Sequence, residues 1–175
     1  MRIITRKGRG SAIAELGPAI FLIFVIVVFP LTTLGTLGLR YSFLIMTVRA
    51  AALDASRCKQ FQEDVSPAQP SAVNTANKTA NTFASKFSGI SLNQVSTYIS
   101  ICNLPTKKIT FSEAPLTAVD EVNNVYDIDV KITGEVMPLI QNSRGYWGNI
   151  PGLTAPFSVT ATAAFAAENP SGLTM

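Results

Sequence analysis

The run LGPAIFLIFVIVVFPLTTLGTLGL, residues 16–39, contains no Asp, Glu, Lys or Arg. An α-helix rising about 1.5 Å per residue crosses a hydrocarbon layer about 30 Å thick with roughly 20 such residues, so this run predicts one membrane span. The whole chain has 175 residues, 47% of them hydrophobic and 14% charged, with a mean hydropathy of +0.30. That balance is too apolar for a disordered tail or an ordinary cytosolic domain. The 135 residues after position 40 suffice for one compact domain with its own core. The organisation expected is therefore one anchor plus one domain.

Net charge is +3, but Arg2, Arg6, Lys7 and Arg9 supply four of the fourteen basic residues, and from residue 11 onward ten basic side chains face eleven acidic ones. The basic excess is a flank of the apolar run and leaves no phosphate-binding surface, so nucleic acid is not an expected partner. Such a flank stays in the cytoplasm. The expected location is thus the cytoplasmic (inner) membrane, single-pass, with the C-terminal domain periplasmic or extracellular and membrane lipid as a partner. A removable secretory signal would have a shorter apolar run ending at a small-x-small site, whereas this one ends Gly38-Leu39-Arg40-Tyr41.

Helical spacing continues over 40–60, with Leu44, Val48, Ala51 and Ala55 on one face. Pro67 and Pro70 break it within a linker at 61–70. Ser71 is placed to cap a second helix reaching about residue 88, with Ala72, Ala76, Ala80, Phe83 and Phe87 on its packed face and Gly89 as its stop. The period then changes to two: at 95–102, briefly at Ile109 and Phe111, at 126–133 and at 157–165. The fold class expected is α+β, a long membrane-spanning helix continuing into an outer domain at 71–175, whose second helix packs on a small antiparallel sheet. Pro30, inside the span, is expected to kink or loosen the first helix.

The junction before the span reads Lys7-Gly8-Arg9-Gly10-Ser11-Ala12-Ile13-Ala14-Glu15. A carboxylate at the edge of an apolar segment needs a compensating partner. A new α-amino group at Ser11 would be one, within a helix or between neighbouring helices; the plainer role for Glu15 is to complement the dipole of a first helical turn. Together with Arg-Ala-Ala-Ala-Leu-Asp-Ala-Ser-Arg at 49–57 and a β-containing outer domain ending near Glu168, this order resembles the TadE-like pseudopilins of tight adherence (type IVc) pili. The outer domain matches that family in layout alone, and Glu15-Leu16-Gly17-Pro18 departs from its usual continuation after the glutamate by placing proline early. The resemblance implies cleavage of a leader, residues 1–10, between Gly10 and Ser11; Gly8 would put Glu15 seventh instead of fifth in the mature chain. It also implies that Glu15 sets assembly register. The partners it implies are a prepilin peptidase, other pilins and pseudopilins, and pilus assembly machinery. The major pilin of such systems is far shorter, so a minor or assembly-priming role is implied. An uncleaved membrane-anchored binding domain of an envelope complex, and a pseudopilin of a protein secretion system, are the alternatives.

Cys58 and Cys102 both fall on the outward side, where oxidation is permitted. A disulfide between them would tie the first helix to the first strand and stabilise by roughly 3–4 kcal/mol; two separate buried thiols are the alternative. Asp120, Glu121, Asp127 and Asp129 form an acidic cluster that reads as a solvated sheet surface, or less simply as a site for a hard cation. Tyr146 and Trp147 lie between Gly145 and Gly148, either tucked into the core or exposed as a contact patch. With no His, no phosphate loop and no carboxylate pair at catalytic spacing, no catalytic, cofactor-binding or metal site is expected, and the chain does not read as an enzyme.

Overall fold

The computed structural model describes residues 9–66, 69–139 and 150–174, with the backbone alone for 9–15. Residues 1–8 of the expected leader at 1–10, and Tyr146 and Trp147, lie outside the described residues. The described residues open with α1 (Arg9–Ile23), pass through one π-helical turn (Phe24–Val28) and continue as α2 (Phe29–Ser56). The π turn explains itself from Pro30. Proline has no N–H to give the carbonyl four residues back, and its ring crowds that carbonyl. The helix widens just before it, and the Phe29 N–H reaches back five residues to the Phe24 carbonyl. Pro18 is accommodated inside α1 without a break.

A short irregular stretch leads to α3 (Ala72–Ala84). Ser71 caps it, its side chain accepting from the Asn74 N–H at 3.3 Å. Asp64 reinforces the cap by accepting the Ser71 N–H at 2.5 Å and the Asn74 side chain at 3.0 Å. These bonds hold the Asp64 carboxyl below its ordinary pKa. The stretch expected to be a linker also contributes to the core, since Phe61 is completely buried. α3 ends four residues earlier than its sequence pattern suggests. Gly89, with φ +81°, lies beyond the helix as part of the turn into the sheet.

Strands β1 (Ile90–Asn103), β2 (Lys108–Ser112), β3 (Asn124–Val136) and β4 (Phe157–Ala166) form one antiparallel sheet in the order β2-β1-β3-β4. Pairs Thr97 with Val130, Ile99 with Ile128 and Ile132 with Ala161 set the register. Directly paired residues share a face. One face therefore carries Val95, Thr97, Ile99, Ile128, Val130, Ile132, Ala161 and Ala163. Most of these join a single buried cluster with Leu44, Val48, Ala51, Ala52 and Ala55 of α2 and with Ala72, Ala76 and Ala80 of α3. Helices thus cover one face of the sheet. The second half of α2 is the domain's own core helix and not a stalk beneath it.

The α2–α3 contact uses alanines on α3, which let the helices approach closely; Thr79 adds a hydrogen bond to the Asp54 carboxylate at 3.0 Å. Replacing Ala76 by Leu forces extra volume into this seam and should lower stability by about 1–3 kcal/mol. Thr82→Leu on the exposed side of α3 should change the unfolding midpoint little. Chemical denaturation of the full chain in detergent, followed by tryptophan fluorescence and circular dichroism, checks both.

Candidate membrane anchor and assembly surface

Every residue at 16–27 is exposed, including Ile20, Phe21, Leu22, Ile23 and Phe24. A helix apolar on all sides has no water-facing stripe and calls for apolar surroundings on all sides. The helix Leu16–Ser56 is long and apolar enough to cross a membrane. Its hydroxyls are satisfied internally: Thr33 donates to the Phe29 carbonyl at 2.9 Å, Thr36 to that of Thr32 at 2.8 Å and Ser42 to that of Gly38 at 3.0 Å. Past residue 27 the environment becomes one-sided. Covered positions recur at 33, 36, 37, 40, 44, 47, 48, 51, 52 and 55, a helical stripe that runs without interruption into the domain core. Gly152, after β3, belongs to this cover: a Cβ built there would lie 3.1 Å from Leu37. The folded unit therefore reaches down alongside the last turns of the apolar run, which the sequence pattern does not reveal.

Arg40, the first charged residue after Glu15, closes that junction. Its guanidinium donates to the Met137 carbonyl and, at 3.1 Å, to the Pro138 carbonyl, just past β3. It also lies against Gly89, where any side chain would collide with it. Phe87 stacks on Phe43 nearby, with ring centroids 4.2 Å apart and planes 8° from parallel. At the other end of α2 the Ser56 carbonyl accepts the Glu168 N–H at 2.9 Å. The Arg57–Glu168 ion pair at 3.4 Å is exposed and adds at most about 1 kcal/mol.

Gly10 and Ser11 are placed in the first turns of α1 and Glu15 one turn further, as backbone positions on one continuous helix. The structure corrects the expected disulfide: Cys58 and Cys102 are both free. Cys58, at the end of α2, packs against the core cluster; its thiol donates to Thr75 Oγ1 at 3.2 Å, and burial pushes its pKa up. Cys102 pairs with Ile109 and Val125 on the opposite face of the sheet. A β-sheet lies between the two thiols.

Among the described residues that second face has no helix over it. It carries Tyr98, Phe111, Asp129, Lys131 and Thr162 around a shallow groove of about 290 Å³, with Ile109, Phe111 and Val125 exposed. Asp120 is a turn former, accepting from the Val122 N–H at 3.0 Å and the Asn123 side chain at 2.8 Å, which lowers its pKa. Asp129 differs: one carboxylate oxygen is buried without a hydrogen-bond partner, and burial, then the charge of Asp127, raises its pKa. Among the described residues no three His, Cys, Asp or Glu side chains converge as a metal site.

Arg40→Ala and Gly89→Ala should each destabilise the domain by about 1–3 kcal/mol, the first by losing charged hydrogen bonds and the second by forcing a side chain into a positive-φ position. Because both act on one seat, the double variant should lose less than the sum in denaturant titrations. For Asp129 the folded pKa lies above the ordinary 3.8, so its ionised form destabilises the fold above the folded pKa and that penalty fades as pH falls. Asp129→Asn should raise the melting temperature at pH 7, with the gain shrinking toward pH 4. Comparison with family models, curated proteins and solved structures finds no match for this chain, which leaves its own residues to carry the functional reading.

Proposed function

We propose that the chain is a minor pseudopilin serving assembly of an adhesive pilus of the tight adherence (type IVc) kind. The observation that carries this reading is the helix itself. It runs through the Gly10-Ser11 junction, is uncovered and apolar on all sides over 16–27, and then becomes the core helix of a folded outer domain. A leader cut between Gly10 and Ser11 leaves a mature chain that begins directly as that helix. In the membrane, such helices associate by packing and not by a hydrophobic effect. The new Ser11 amine compensates Glu15, within a chain or across to the next, and fixes the axial register. The outer domain stays on the far side of the cytoplasmic membrane, and prepilin peptidase, other pilins and the assembly machinery are the partners.

Intact mass of the protein from its native membrane, with and without the prepilin peptidase, tests the reading. Peptidase-dependent loss of residues 1–10 is expected; full-length mass in both samples would instead favour an uncleaved anchor carrying a binding domain. Glu15→Ala should leave membrane insertion intact and reduce surface pili several-fold by electron microscopy, and undiminished piliation would remove Glu15 from the register role.

A further inference from the structure

Among the described residues the sheet has two borders without a further strand partner. β2 pairs with β1 only at 99–103, so on that side residues 90–98 have no strand partner among the described residues. β4 forms the other border of the sheet. Exposed strand edges are ordinarily blunted by charge or proline because they template pairing with another chain. Residues 90–98 and β4 contain no charged residue or proline, with Pro156 directly before β4, whereas β2, the short outer strand, itself carries Lys108. Beside the open part of β1 runs a groove of about 270 Å³, lined by Gln94, Ser96, Thr97, Val73 of α3 and Glu113. Thr97 is 7% exposed and its hydroxyl has no partner. The register shift between Leu92 and Gln94 limits the regular part of this edge to 94–98.

We propose that copies of this chain join edge to edge, the uncharged border of β4 in one copy adding to the 94–98 stretch of β1 in the next. The orientation rests on the membrane-anchored reading of the N-terminal helix. Copies held by the same helix in one membrane point the same way, and β4 runs parallel to β1 because both are antiparallel to β3. A β4-to-β1 joint between like-oriented copies is therefore a parallel pair. It uses different surfaces on its two sides, so repetition extends an array and does not stop at a dimer.

The test uses the full-length chain in its native membrane, with Cys58→Ser and Cys102→Ser. Gln94→Cys is combined in turn with Thr160→Cys, Thr162→Cys and Ala164→Cys, all on exposed positions, and oxidised with copper phenanthroline. Paired strands lie about 4.8 Å apart, within disulfide reach. A ladder of dimer, trimer and higher species from one of the double-cysteine chains is expected, with Ser96→Lys in that chain lowering it at least five-fold at unchanged melting temperature. No ladder from any folded pair, or equal cross-linking by Gln94→Cys or Thr162→Cys alone, overturns the edge joint. Leader cleavage scored on the same samples separates the two ideas: cleavage without a ladder removes the joint and leaves the pseudopilin reading, and a ladder without cleavage does the reverse.

Discussion

An unbroken helix satisfies its backbone hydrogen bonds internally wherever it goes, which frees its side chains alone to decide what surrounds it. Residues 16–56 exploit this twice over, being apolar on every side at first and apolar mainly on one stripe later. Everything else hangs from the change between the two. The stripe from Thr33 through Ala55 fixes which side of α2 receives the sheet, and α3 then fits against the same helix through alanines small enough to share it. Even the local irregularity obeys the rule: where Pro30 withdraws a donor, the backbone answers with a π turn and keeps the Phe29 N–H bonded.

Arg40 sits where the two regimes meet, and its partners are main-chain carbonyls of the domain. A guanidinium that binds Met137 and Pro138 while resting on Gly89 ties the end of the apolar run to the turn before β1 and the end of β3 together. The consequence is a domain seated low, with Gly152 against Leu37, instead of one held off by a helical spacer. That seat couples any tilt of the helix to the orientation of the sheet.

Much of this is legible in the residues, for definite reasons. The run at 16–39, the face Leu44-Val48-Ala51-Ala55, the Ser71 cap and the alternation in β3 each follow from one period and one solvent boundary. The alternation alone starts β1 at 95, five residues late, because the extra residue at Asn93 inverts it and turns both Leu92 and Val95 to the same face. Phe61 is hidden in a polar neighbourhood, and the Arg40 seat joins residues nearly a hundred positions apart, which no local pattern encodes. The cysteines are different, since the signal is present. The alternation that defines β1 already groups Cys102 with Ser96, Tyr98 and Ser100, on the face away from the helices, and outward location alone cannot bring it to Cys58.

The remaining asymmetry lies in the sheet, and it bears on how many copies the structure is built to accommodate. A domain that needed only to stay soluble would guard both borders, and β2 shows that charge was available for the purpose at Lys107 and Lys108. Leaving 94–98 and β4 uncharged invites aggregation unless their encounters are restricted. On the proposed anchored reading, a single span in one membrane would restrict them: it would give the copies one orientation, keep the sheets at one height and disfavour the antiparallel collisions open to a soluble protein. Under that constraint an unguarded edge would be a hazard only to a neighbour already aligned with it, so a helix held in the membrane would also make such edges tolerable.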